Sequence, residues 1–179
     1  MKIAIIGTAG RKEDGPKMTR ELYFKMVQKA RSIVESLSDD IHLVSGGAAW
    51  SDHTVISLFL LDLASSLTLY LLCLFDVNTN KFIGTVGNTA KTANYYHELF
   101  SKKMERDTRE GITSAINSGA VVYPVMGGFF QRNLKVGLVD ALIAFTWGED
   151  NIPKKGSGTS HTWNHSHAKI KIHIPLSTL

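Results

Sequence analysis

Short apolar segments that end in glycine turns alternate along this chain with segments of helical periodicity. Residues 2–6 and 41–44 are apolar runs followed by glycines, and residues 18–37 and 52–64 carry the helical pattern. A strand covered on both faces is an unbroken apolar run, and strands that alternate with helices build a parallel sheet. The pattern therefore predicts an α/β fold: a single Rossmann-like domain over residues 1–179, with a mainly parallel sheet and helices on both faces.

The remaining segments continue this alternation less regularly. They predict strands at residues 67–74, 139–145 and 170–174, helices at residues 92–104 and 107–117, and a helical turn within residues 129–136. Residues 120–125 fit either a strand or a loop. Residues 75–91 lack a sustained period, which predicts a long loop, and loops of that length in compact domains are usually functional.

Residues 56–75 form an almost wholly apolar run with the length of a membrane-spanning helix. Asp62 lies near its middle, where a carboxylate is costly in a bilayer. Ser65 and Ser66 indicate a break between two shorter elements. We therefore expect a buried helix end followed by a buried strand, and no membrane partner.

Charge and cysteine content exclude several classes of protein. The chain has 20 Lys and Arg against 16 Asp and Glu, a net charge of +4, and its basic residues are scattered among acidic ones. This excess is too small and too dispersed to predict nucleic-acid binding. The single cysteine, Cys73, cannot form an internal disulfide or a cysteine zinc cluster and favours a reducing compartment. The first seven residues lack the apolar core of a secretory signal, so we expect a cytoplasmic location.

Three glycine-containing turns follow predicted strands or precede predicted helices. In a parallel sheet the loops after the strands' carboxyl ends open on one edge, where ligands bind. Glycine lets backbone N–H groups approach an anion, and a helix N-terminus favours negative charge. The candidate ligand-binding residues of these turns are Gly7, Thr8, Ala9 and Arg11 in the first, Ser45, Gly46 and Gly47 in the second, and Lys155, Gly156, Ser157, Gly158 and Thr159 in the third. The first two turns would lie near the sugar and base of a nucleotide-like molecule, and the third would take its phosphate.

Other side chains suit the same ligand. Arg132 can hold a phosphate through two parallel hydrogen bonds, and Asn133 lies beside it. His161, next to the third turn, is a candidate hydrogen-bonding group. His161 and His165 are also spaced to share a zinc ion on one helical face, but no carboxylate or thiol completes the set locally, so we expect no metal. Neither the dinucleotide-binding fingerprint nor the P-loop motif is present, so we expect no cofactor, and the phosphate would belong to the ligand.

The three turns together resemble those of the SLOG superfamily, which joins the Lonely Guy phosphoribohydrolases, the DprA-type DNA-processing proteins and the YpsA/YspA-like proteins of bacteria and phages. The resemblance rests on residues 7–11, on residues 43–48 followed by Asp52, and on residues 140–145 leading to residues 156–159. It implies a Rossmann-like sheet that binds nucleotides or nucleotide-derived molecules, often as a homodimer. Apolar residues on the helical segments 18–37 and 52–64 would suit such a dimer.

One departure from the superfamily concerns catalysis. Lonely Guy enzymes have a catalytic glutamate shortly after the third turn, whereas this chain has residues 160–163, Ser-His-Thr-Trp, at that place. Cleavage of a nucleotide's N-glycosidic bond would then need a carboxylate from elsewhere, and the candidates are Asp52 and Glu98. Asp52 fits a helix cap equally well. The missing glutamate favours a protein that senses or sequesters a nucleotide over an N-glycosidase, and both alternatives stay open.

Overall fold

A parallel sheet forms the centre of the computed structural model, which describes residues 1–84, 87–125, 127–148, 151–153 and 157–179. In chain order the strands are β1 (Lys2–Gly7), β2 (His42–Ser45), β3 (Ser66–Leu71), β4 (Leu74–Asp76), β5 (Lys81–Ile83), β6 (Val121–Pro124), β7 (Ala141–Thr146) and β8 (Ile170–Pro175). Within the described residues six of these strands form one sheet in the order β6-β3-β2-β1-β7-β8, and every neighbouring pair is parallel. Ile3 of β1 pairs with Leu43 on one side and Ala141 on the other.

Helices cover both faces of this sheet. They are α1 (Arg20–Leu37), α2 (His53–Leu60), α3 (Thr89–Met104), α4 (Arg109–Asn117), α5 (Gly128–Val136) and α6 (Gly158–His165), with short 3₁₀ turns at Lys12–Lys17 and Leu176–Thr178. Successive side chains of a strand point to opposite faces. Accordingly Ile3 and Ile5 join the larger core with α1 to α4, whereas Ala4 and Ile6 join a smaller core with α5 and α6. The predicted α/β class and the Rossmann-like architecture are confirmed.

The apolar run over residues 56–75 contains the end of α2 and the whole of β3, as expected. The helix ends at Leu60, earlier than the predicted residue 64, because Asp62 takes a left-handed conformation (φ 58°). The backbone N–H of Ser65 then donates to Ile41 O at 3.0 Å, and β3 begins at the next residue. In the described part of the chain, no helix combines the length and the apolar character needed to cross a membrane.

The prediction of a long loop over residues 75–91 was wrong in part. Strands β4 and β5 form an antiparallel hairpin there, in which Phe75 pairs with Phe82, and α3 begins at Thr89. The ambiguous segment 120–125 contains an edge strand, β6. The two helices predicted to suit a dimer carry exposed apolar side chains on them or just after them, at Phe24, Leu60 and Leu61. The dimer stays a prediction.

Candidate functional site

Two side chains of helix α5 form hydrogen bonds with the second and third glycine turns. Arg132 Nη1 donates to the carbonyl of Gly46 at 2.9 Å, and Nδ2 of the next residue, Asn133, donates to the carbonyl of Gly158 at 3.2 Å. Thr159 Oγ1 donates to the carbonyl of Gly7 at 2.9 Å, which connects the third turn to the first. Three segments that are far apart in sequence therefore lie side by side at the carboxyl edge of the sheet.

The first turn is packed too closely for any side chain at Gly7. A Cβ there would lie 2.0 Å from Phe145 O and 2.5 Å from Ser51 Oγ. The backbone N–H of Thr8 donates to the same Phe145 carbonyl at 3.0 Å, and Ser51 N donates to Thr8 O at 3.3 Å. The close approach of β1, β7 and the start of α2 therefore requires glycine at this position. This packing accounts for Gly7 without a ligand.

The second turn is held in place by contacts within the protein. Asp52, at the start of α2, lies close enough to the N–H groups of Gly46 and Ala48 for these groups to lower the pKa of its carboxyl. Ser45 Oγ accepts from Gly47 N at 3.1 Å. The Gly47 amide is therefore not available to a ligand, and the contact of this turn with the sugar and base of a nucleotide stays a prediction.

Asp52 and Arg132 form a buried ion pair under the second turn. Their closest atoms, Asp52 Oδ2 and Arg132 Nη1, are 3.6 Å apart, and the two side chains are 9% and 12% exposed. Burial raises the pKa of the Asp52 carboxyl, while the Arg132 guanidinium and the two backbone amides oppose that rise. Asp52 is therefore held in place by Arg132; it directly precedes α2, but its side chain makes no capping hydrogen bond, so the structure does not support the helix-cap interpretation.

A cleft opens above these groups, between the ends of β1, β2 and β3 and the side of α3. Among the described residues its wall contains Ala9, Arg11, Gly46, Gly47, Ala48, Ala49, Leu72, Cys73, Phe82, Thr89, Thr92, Ala93, Tyr96, His97, Phe129 and Arg132. The cavity volume is about 50 Å³. That is room for a few water molecules, whereas small-molecule sites enclose roughly 300–1,000 Å³. The cleft is thus nearly closed in this conformation.

Arg11 lies at the mouth of the cleft between two aromatic rings. Its guanidinium carbon is 4.8 Å from the centroid of the Tyr96 ring and 5.5 Å from that of Phe129. The Arg132 guanidinium is 5.8 Å from the same Phe129 ring. Since Arg11 has no ion-pair partner among the described residues, Asp52 is the one described carboxylate paired with these two arginines. The cleft consequently carries an excess of positive charge.

A relative of this chain occurs in Acanthamoeba polyphaga mimivirus, where it is called "Uncharacterized protein R261". The two sequences are 33% identical over 183 residues, a match that covers 99% of this chain and 97% of the viral protein. The chain belongs to the family of that mimivirus protein. No protein-family model matches the chain, and no solved structure matches it. The resemblance to the SLOG superfamily stays a prediction.

Several predicted site residues lie away from the cleft of this family member. Glu98 is 58% exposed on α3 and pairs with Lys102 at 3.0 Å, so the structure does not bring this carboxylate to the cleft. His161 stacks on His165, with ring centroids 4.1 Å apart, and packs against Phe130. In the third turn, Ser157 Oγ accepts from Ser160 N in a capping box, which satisfies part of the α6 N-terminus internally. Lys155 and Gly156 lie outside the described residues.

Most of the cleft residues that sequence reasoning did not select come from the segment after β3, from β5 and from α3. His97 Nε2 donates to Gly47 O at 3.0 Å, and Thr108 lies near its other ring nitrogen at 3.4 Å. Tyr96 supplies the ring under Arg11. The unusual succession Asn-Tyr-Tyr-His at residues 94–97 was the available signal, because aromatic and polar groups seldom share an outward helix face. Among the described residues no group of His, Cys, Asp or Glu is arranged to hold a metal.

Proposed function

We propose that this protein binds a phosphorylated nucleotide or nucleotide-derived small molecule in the cleft between the strand ends and α3. The observation that carries the proposal is the pair of guanidiniums, Arg11 and Arg132, that line one nearly closed space, with Asp52 as the one described carboxylate that forms an ion pair with either of them. Open α/β sheets bind ligands beyond the carboxyl ends of their strands, which is where this space lies. A phosphate there would balance the excess positive charge.

The bonding of Arg132 supports an anionic ligand. One of its nitrogens, Nη1, is occupied by the Gly46 carbonyl, and Nε is buried without a hydrogen-bond partner in the part of the chain that the structure describes. A buried donor without a partner is costly, and a ligand oxygen would remove that cost. Arginine is suited to this because its planar fork offers parallel N–H groups to a phosphate.

The composition of the cleft favours binding over cleavage of a glycosidic bond. Hydrolysis of that bond generally needs a carboxylate beside the reacting carbon. None of the described residues lining the cleft is an Asp or Glu. Asp52 is not part of the cleft wall and is paired with Arg132, and Glu98 is exposed and pairs with Lys102. The protein is therefore proposed as a sensor or sequestering protein, without an assigned hydrolase activity.

The proposal is tested by ligand binding to the folded protein. The four common nucleoside monophosphates and ADP-ribose are added in turn, and melting temperature and free base are measured together. A ligand that binds only the folded state raises the melting temperature by mass action. We expect at least one of these compounds to raise it and no base to be released.

Charge removal in the cleft provides the residue-level test. Arg132→Lys and Arg11→Ala are each expected to weaken nucleotide binding about tenfold, the loss of one charge-assisted contact. Arg20→Ala is the matched control, because Arg20 also lies over a ring, that of Phe24 at 5.8 Å, but on α1. Equal affinity in all three variants, or the absence of binding by any compound, would overturn the proposal. Base release would establish the hydrolase instead.

A further inference from the structure

We infer that Tyr96 and Phe129 form a slot for the planar base of the nucleotide, and that Arg11 occupies this slot until the base displaces it. The inference rests on the proposed function, because it assigns a part of the same cleft to a part of the same ligand. It adds the requirement that the ligand contain a flat ring as well as a phosphate.

The position of the Arg11 guanidinium is the first argument for the slot. This group is flat and positively charged, and it lies within 6 Å of both ring centroids, the distance at which a cation is attracted to an aromatic face. A nucleobase is also flat and stacks on the same kinds of ring. The space held by the guanidinium between Tyr96 and Phe129 is therefore of the kind that a base would occupy.

The second argument is that the two side chains at the mouth of the cleft, Phe129 and Arg11, are exposed. Phe129 is 42% exposed although two guanidiniums lie over its ring, so apolar area remains there for a ligand to cover. Arg11 is exposed as well, so it can leave the slot without breaking an ion pair with any described residue. Movement of the Arg11 side chain would open the mouth of the cleft. The ligand could then cover the Phe129 ring.

The size of the closed cleft is the third argument. Its volume of about 50 Å³ excludes a nucleobase while Arg11 stays in place. Once displaced, the Arg11 guanidinium remains tethered at the same mouth and is available to the ligand's phosphate. The same side chain would thus oppose a ligand that has only a base and favour one that has both a base and a phosphate.

This double role gives Arg11→Ala a distinctive signature. Removing the guanidinium vacates the slot, so a nucleoside without phosphate is expected to bind about threefold more tightly. The corresponding nucleoside monophosphate is expected to bind about tenfold more weakly, because the phosphate loses a partner. A side chain that only supports the fold would shift both affinities in the same direction.

The experiment measures affinities by calorimetry for one nucleoside monophosphate that binds, its nucleoside and ribose 5-phosphate. Phe129→Leu and Tyr96→Leu are expected to weaken monophosphate binding about tenfold, the loss of one stacking ring, and Tyr96→Phe to restore it. Phe130→Leu is the matched control, since Phe130 is 52% exposed on the same helix but packs on His161.

The outcomes separate this inference from the proposed function. If the monophosphate binds but the Tyr96 and Phe129 variants bind it as the original protein does, the slot is wrong and the proposed function stands. Ribose 5-phosphate that binds as tightly as the monophosphate leads to the same conclusion. If none of the compounds binds, the proposed function and the slot are both overturned. Opposite shifts in Arg11→Ala, with the expected ring losses, establish the slot.

Discussion

At the scale of single residues, Gly46 shows how a glycine can serve a neighbour instead of a ligand. A Cβ on Gly46 would lie 2.0 Å from Arg132 Nη1 and 2.7 Å from Asp52 Oδ2. The absence of a side chain is therefore what lets the guanidinium reach the Gly46 carbonyl and the Asp52 carboxylate. The sequence pattern indicated that Gly46 matters, but it suggested a turn close to a ligand's sugar and base, because the partner on α5 is 86 residues away.

Gly46→Ala is expected to push Arg132 out of its buried position. The end of that side chain can move, so the backbone survives, but Asp52 is left buried with a weaker partner and the free energy of unfolding falls by about 1–3 kcal/mol. Nucleotide affinity is expected to fall with it, as in Arg132→Lys. Chemical denaturation and calorimetry measure the two effects.

Gly158→Ala is the matched glycine control. Its Cβ would meet only Asn133 Nδ2, at 3.7 Å, which is an ordinary contact. Alanine is also a better helix former than glycine at the start of α6, so stability is expected to stay within about 0.5 kcal/mol or to rise slightly. A Gly46→Ala protein as stable as this control would contradict the role given to Arg132.

At the scale of elements, the β4–β5 hairpin shows where sequence patterns give too little signal. Each strand has three residues, which is too short for an alternation of polar and apolar side chains to be recognised. A two-stranded hairpin is marginal by itself. Here Asn94 of α3 supplies what a third strand would: its Oδ1 accepts from Phe82 N at 3.0 Å and its Nδ2 donates to Phe82 O at 2.8 Å.

Asn94→Ala is expected to loosen the hairpin without disturbing the parallel sheet. It leaves the N–H and C=O of Phe82 without these partners, a local cost of about 1–3 kcal/mol. Hydrogen exchange of the β4 and β5 amides should accelerate, while β1 and β7 stay protected. Because Phe82 lines the cleft, nucleotide affinity should fall as well. Lys91→Ala, an exposed change on the same helix, is the control, and equal hairpin exchange in both variants would contradict this anchor.

At the scale of the whole molecule, the sheet was predictable and the position of the cleft along its edge was not. Buried strands such as β1 and β7 are apolar on both faces, which is visible in the sequence. The cleft, in contrast, depends on α3 folding back over the ends of β2 and β3. That packing is fixed by buried polar contacts such as His97 with Gly47, and such contacts between distant residues leave no periodic pattern.

Two buried histidines join α2 and α3 to the rest of the molecule. His53 Nδ1 lies 2.8 Å from Tyr23 Oη, and its Nε2 lies 2.8 Å from the carbonyl of Thr108, to which it donates. Burial lowers the pKa of His53 from its usual 6.5 to about 3 and that of His97 to about 4. Both rings are therefore neutral in the folded protein at neutral pH.

The stability of the protein should consequently fall as the pH is lowered from 6.5 towards 4. In this range the unfolded chain takes up protons on these histidines and the folded protein does not, so each contributes a slope of up to about 1.4 kcal/mol per pH unit. Above pH 6.5 neither state is protonated at these rings and the contribution is fully present. His97→Gln keeps a donor for the Gly47 carbonyl but removes one titrating group, so its urea midpoints between pH 7 and 5 should show a shallower slope. Gln28→Ala, an exposed change that removes no titrating group, should keep the original slope. An unchanged slope in His97→Gln would mean that this ring is protonated in the folded protein. The assignment of a neutral His97 ring that hydrogen-bonds to the Gly47 carbonyl would then be wrong.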